Sequence, residues 1–210
     1  MTNKEKLKNI KLYGITTEPM DGYTYESMVE AACLGGVDIL QYRDESRRSD
    51  QDKLTLIHKI RKITRKFDVI FIINNRLDLA ILGEADGVHL GQNDLPIKEV
   101  AKLINKKMII GKSTHSLDQA IEAETLGADY IGIGPLVQTP TKPTYLPIGM
   151  QLAYKVQNTV KIPAVAIGGI NQNNIDSLTG LGLKRLAIVR AIFAVENIEK
   201  AAKLFKEKLL

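Results

Sequence analysis

Short apolar runs alternate along the chain with longer segments whose apolar positions recur at helical spacing. Residues 12–16, 38–42, 69–73, 87–90, 108–111, 130–133, 164–167 and 185–189 read as strands. The segments 25–34, 51–66, 77–82, 97–103, 116–126, 150–156, 174–181 and 197–209 read as helices. Eight strand–helix units in a row imply parallel strands joined by right-handed crossovers, and eight favour closure over an open sheet. The expected architecture is α/β, a (β/α)8 TIM barrel in which residues 1–210 form a single domain and 1–10 a flexible or helical extension.

Local signals agree with these elements. Ser116 followed by Gln119 is a capping box opening a helix, and Gly127 after Leu126 supplies a left-handed C-cap. Ile198, Ala201, Ala202, Phe205 and Leu209 form one inward stripe of the last helix. The related phrases 84–87 and 127–130 read as a repeated helix-to-strand turn without chemistry of its own.

Active sites of such barrels are built on the loops after the C-terminal strand ends, and those loops here are polar. Alternation places Gln41, Arg43 and Glu45 on one face, where Arg43 grips a phosphate or closes a salt bridge at the strand end. The loops carrying Asn74, Asn75 and Asp94 bring hard oxygen donors suited to Mg2+ already holding substrate phosphates. Asp94 has a second reading as the N-cap of a helix beginning near Leu95-Pro96. Ser113 and His115 follow the fifth strand, His115 as proton carrier or structural group. The apolar strand 130–133 stops at Gly134-Pro135 and runs into Thr139, Pro140, Thr141 and Lys142, which suit an anionic ligand. Gly168-Gly169 and Val189-Arg190 follow the seventh and eighth strands, where backbone amides at helix starts form the usual phosphate cradle.

Composition narrows the class. The 210 residues are 44% hydrophobic, enough for one sizeable core, and no apolar run is long enough to span a bilayer. With no apolar segment near the start, a cytoplasmic protein without a membrane partner is expected. A net charge of +5, spread rather than clustered, suits small anionic substrates, and 5% aromatic residues without Trp argue against a nucleic-acid partner. Cys33, alone and flanked by Ala32 and Leu34, reads as a buried apolar group, which excludes disulfides and a cysteine metal site. No nucleophile stands beside a base, so the chemistry expected is positioning and electrostatic stabilisation of a departing phosphate.

Taken together, the phrases 41–44, 73–80, 86–94, Gly134-Pro135 with 139–142, and 166–170 resemble the thiamine phosphate synthase family, from about Leu12 to Ile192. The resemblance implies an enzyme that joins hydroxymethylpyrimidine diphosphate to hydroxyethylthiazole phosphate with Mg2+, releasing pyrophosphate. It implies Gln41, Tyr42, Arg43, Asp44, Glu45, Asn74, Ser113 and Lys142 around the pyrimidine diphosphate, with Arg43, Ser113 and Lys142 catalytic. It implies Asn75 and Asp94 at the metal, and Thr139, Pro140, Thr141, Gly168, Gly169, Val189 and Arg190 around the thiazole phosphate.

Three positions depart from the family pattern. Glu45 stands in place of a usual lysine, Asn75 in place of a metal-binding aspartate and Arg190 in place of a serine. A carboxylate facing a diphosphate at ~4 Å costs roughly 4 kcal/mol at an effective dielectric near 20, unless Glu45 turns toward Arg47 or Arg48. A related thiazole tautomerase using His115, and a noncatalytic phosphate-ligand binder, are the alternatives; homo-oligomer formation stays open.

Overall fold

The computed structural model describes residues 2–138 and 146–210. Eight parallel strands close in chain order: β1 (Leu12–Ile15), β2 (Ile39–Tyr42), β3 (Ile70–Asn74), β4 (Gly87–Leu90), β5 (Ile109–Thr114), β6 (Tyr130–Ile133), β7 (Ala164–Ile167) and β8 (Leu186–Ile188), with β8 pairing back to β1. Outside them lie α2 (Tyr25–Leu34), α3 (Asp50–Lys66), α4 (Leu77–Leu82), α5 (Ile97–Leu103), α6 (Leu117–Thr125), α7 (Met150–Thr159), α8 (Ile175–Gly180), the short α9 (Arg190–Phe193) and α10 (Ile198–Leu209). The (β/α)8 expectation holds, and no helix among the described residues is long and apolar enough to cross a membrane.

Alternation along the strands divides the core in two. Leu12, Leu40, Phe71, Val88 and Ile131 face the helices and pack in the larger outer layer. Tyr13, Ile39, Ile70, Ile72, Ile109, Tyr130 and Val165 point into the barrel. The N-terminal segment is helical, α1 (Asn3–Lys6) followed by a 3-10 turn, and it closes the lower end: Leu7 is 1% exposed and packs with that inner group. Asn3 reaches Asp86 at 2.7 Å and Lys4 pairs with Asp129 at 2.9 Å, holding the segment in place.

One device recurs below the barrel. Asp38, Asp86 and Asp129 each donate their backbone N–H to the preceding strand and accept that strand's amide on a carboxylate oxygen, from Leu12, Phe71 and Ile110 at 2.9 Å. Each follows a helix that ends in a left-handed residue, Gly36, Glu84 or Gly127. The repeated turn read in the sequence is therefore a register lock.

Two local expectations change. β5 extends three residues beyond the predicted end because Ser113 and Thr114 pair with Gly132 and Ile133, which puts Ser113 on a rigid strand. The capping box at Ser116 is half formed: its hydroxyl accepts from Gln119 N, whereas Gln119 Oε1 accepts from His115 N, one residue earlier than the box requires.

Candidate active site at the mouth of the barrel

At the C-terminal ends of the strands the described residues enclose a cavity of about 520 Å3, a size that suits a small organic ligand. It is lined from all eight strands or the loops after them, including Gln41, Arg43, Asn74, Ser113, Gly168, Gly169, Val189 and Arg190. These eight predicted residues thus meet at one mouth. Their convergence follows from the register, since each strand turns every second residue inward and the inward residues near the strand tops are the polar ones.

Arg43 is held by its own backbone. Its N–H donates to Thr16 Oγ1 at 3.0 Å, and that hydroxyl donates to Arg43 O at 3.2 Å, so the loop after β2 is tied to the end of β1. The guanidinium pairs with Glu45. Glu45 therefore does not turn toward Arg47 or Arg48; Arg48 is engaged by Glu18 and Asp44 instead. Tyr42 and Asp44 lie outside the pocket lining. The Tyr42 ring packs edge-on to Tyr25 in the outer layer, and its hydroxyl donates to Asp44 Oδ2 at 2.6 Å. Asp44 also accepts from Ser46 N at 2.8 Å. Burial pushes its carboxyl up, but hydrogen bonds from Ser46 and Tyr42 and the Arg48 charge outweigh that and bring it down to about 2. The two residues buttress the back of the loop whose front carries Arg43.

Asn75 and Asp94 meet at the rim. Asn75, in the left-handed region at φ 48°, donates to Asp94 Oδ1 at 3.2 Å. The Gly91 amide donates to Asp94 Oδ2 at 2.6 Å, and a Cβ at residue 91 would lie a tight 3.0 Å from that oxygen. Asp94 thus closes its own turn, and the N-cap position of α5 falls to Pro96. Lys112 Nζ donates to Gly91 O at 2.7 Å and Gln92 Nε2 to Ser113 O at 2.5 Å, fastening this turn to β5. Burial lowers the Lys112 pKa, against the opposing charges of Asp94 and Glu122. Among the described residues no three His, Cys, Asp or Glu side chains gather as a metal centre. The Asn75–Asp94 pair offers one carboxylate and one carboxamide, hard donors that suit Mg2+ where a ligand's phosphate oxygens complete the shell.

Across the mouth, Gly168 and Gly169 adopt φ of 104° and 69°. A Cβ on either would fall 2.5 Å from Pro135 or 2.7 Å from Val137, so only glycine lets the loops after β6 and β7 touch. Asn171 and Asn174 donate to Gly169 O at 3.1 and 2.8 Å and fix this turn. Thr139, Pro140, Thr141 and Lys142 lie outside the described residues. Cys33 is buried behind the barrel with its thiol pushed up to about 12 by burial and the Glu30 charge, in keeping with a packing role.

Among the lining residues given no role in the sequence are three polar aromatic ones, Tyr13, His89 and Tyr130. All occupy inward strand positions, and a polar aromatic among aliphatic residues at such a position was the available signal. His115 lines the same pocket, its Nδ1 2.5 Å from Gly134 O.

A closed eight-stranded barrel with a cavity at its C-terminal mouth, into which several polar side chains converge, defines a (β/α)8-barrel enzyme with a small-molecule site. The thiamine monophosphate synthase family model matches residues 12–192, and the chain belongs to that family. It is 43% identical to a thiamine-phosphate synthase of Pelotomaculum thermopropionicum over 90% of this chain and 87% of that protein. It is 36% identical to one from Synechococcus over 98% of this chain, which spans only 59% of that longer protein. The solved structure of a thiamine phosphate pyrophosphorylase from Pyrococcus furiosus superposes with a TM-score of 0.87 at 33% identity, covering 98% of this chain and 96% of the other. The chain is accordingly an enzyme, a transferase, with the activity of a thiamine-phosphate synthase.

Proposed function

We propose that the mouth pocket condenses hydroxymethylpyrimidine diphosphate with hydroxyethylthiazole phosphate to give thiamine phosphate and pyrophosphate. The observation that carries this reading is the convergence on one cavity of Gln41, Arg43, Asn74 and Ser113 from one half of the barrel and Gly168, Gly169, Val189 and Arg190 from the other. Two ligand ends are thereby addressed within one enclosure.

In this reading the C–O bond between the pyrimidine methylene and the diphosphate breaks, its electron pair leaving with the diphosphate, and the thiazole nitrogen forms a new C–N bond to that carbon. The chain supplies no nucleophile. Arg43 stabilises the developing charge on the leaving oxygens, a role Lys142 would share, Ser113 and Asn74 orient the pyrimidine side, and Arg190 adds a charge for the thiazole phosphate. Thr139, Pro140 and Thr141 belong to the same phosphate end. Asn75 and Asp94 would hold Mg2+, which when bound neutralises diphosphate oxygens. We read residues 1–210 as a single cytoplasmic domain acting on small phosphorylated heterocycles, without nucleic-acid or membrane partners.

The deciding experiment supplies purified protein with both half-molecules and Mg2+ and follows thiamine phosphate and pyrophosphate. Formation of both in equal amounts is expected. Exchange of the thiazole proton without product would move the assignment to a tautomerase using His115. Binding of thiazole phosphate with neither reaction would leave a noncatalytic binder.

A further inference from the structure

A line of hydrogen bonds crosses the barrel under the pocket. Gln41 Nε2 donates to the Tyr13 hydroxyl at 2.7 Å, and that hydroxyl is 2.8 Å from the Tyr130 hydroxyl. The Tyr130 hydroxyl lies 2.9 Å from His89 Nδ1, and His89 Nε2 lies 2.9 Å from Ser113 Oγ. The five residues come from five strands, and both ends open on the cavity. Space for the line is made by Gly111, where a Cβ would lie 2.2 Å from the Tyr130 ring.

Burial pushes the Tyr13 and Tyr130 phenols far above their ordinary range, so each keeps its one hydrogen. A neutral imidazole has one donor nitrogen and one acceptor. With His89 neutral, the four bonds of the line can run together in either of two senses. In one, Gln41 donates, each hydroxyl donates onward, His89 carries its hydrogen on Nε2, and Ser113 has its own hydrogen left for a ligand. In the other, all four bonds reverse. The ends are therefore always opposite: when one is an acceptor toward the pocket, the other is a donor. Gln41 donating through Nε2, as it does here, leaves Oε1 as the acceptor and Ser113 as the donor.

We propose that Tyr13, Tyr130 and His89 are positioning residues for the pyrimidine: they hold Gln41 and Ser113 in opposite hydrogen-bonding senses and so select a ring that carries an amine hydrogen and an unprotonated ring nitrogen over its oxo counterpart. The proposal rests on the pyrimidine reading of the pocket. An oxo ring presents the reverse pattern, and accepting it requires rotating the buried Gln41 amide, inverting both phenols and changing the His89 tautomer together. Failing that, two polar groups stay unpaired against the ligand.

Two measurements test this. Nitrogen-15 spectra of histidine-labelled protein without ligand, with the three histidines assigned from His58→Gln and His89→Gln variants, are expected to show His89 as the Nε2–H tautomer. Calorimetry is expected to show tighter binding of the amino pyrimidine diphosphate than of its oxo analogue, with that preference falling about tenfold in Tyr130→Phe and in Tyr13→Phe, each of which cuts one link. An Nδ1–H tautomer in the native protein, or an unchanged preference in both variants, overturns the proposal. Should both variants fail to fold, the tautomer of the native protein decides. Calorimetry needs no turnover, so loss of the condensation reading through absent product remains a separate outcome.

Discussion

Asn75 Nδ2 donates to Asp94 Oδ1 across 3.2 Å, joining the loop after β3 to the turn after β4. One partner is charged and the other neutral, so any cation held between them leans on Asp94. Asp94→Ala is expected to cut Mg2+-dependent turnover by on the order of 100-fold, and Asn75→Asp to shift half-activation to lower Mg2+ by adding a second carboxylate. Initial rates across a Mg2+ titration read both. An activation curve unmoved by Asp94→Ala would put the ion elsewhere.

Glu45 neutralises Arg43, the cation proposed for the diphosphate, but the two are unequally buried: the Arg43 side chain is 15% exposed and that of Glu45 71%. Water around Glu45 screens it well below the penalty for a dehydrated pair. Glu45→Lys is expected to tighten inhibition by pyrophosphate about two- to fivefold, in line with an exposed ion pair. An unchanged or weaker inhibition constant would show that Glu45 does not compete with the ligand.

Asp44 links the loop's stability to pH. Its carboxyl, ordinarily near 3.8, titrates at about 2 in the folded protein because Ser46, Tyr42 and Arg48 outweigh the effect of burial. A lowered folded pKa means the stabilisation is fully present above the unfolded value and is lost as pH falls from about 4 toward 2. Urea unfolding at stepped pH should show that acid-side decline in the native protein and a flatter one in Asp44→Asn. Equal slopes would remove Asp44 as the responsible group.

The ring of strands was legible in the sequence because each unit repeats one local pattern and closure depends only on their number. The polar rim was legible too, since Arg43, Asn74 and Ser113 stand where apolar runs end. What the sequence left unread depends on which face a residue takes at a distance from its partners. Tyr42 and Arg43 are adjacent, yet one ring enters the outer core while the other side chain enters the pocket. Glu45 chose Arg43 over Arg47 and Arg48, a matter of loop curvature that spacing does not encode. Tyr13 and Tyr130, 117 positions apart in the chain, become partners only through closure of the barrel.

Asp38, Asp86 and Asp129 sit at the end of the molecule opposite the cavity, yet they govern what the cavity contains. By pinning β1 to β2, β3 to β4 and β5 to β6 at two points each, they oppose a slide of one residue within those pairs, which in a structure of period two would turn Gln41, His89 and Ser113 toward the helices and bring Tyr42, Leu90 and Lys112 inside. Three carboxylates remote from the cavity thus decide which side chains face it.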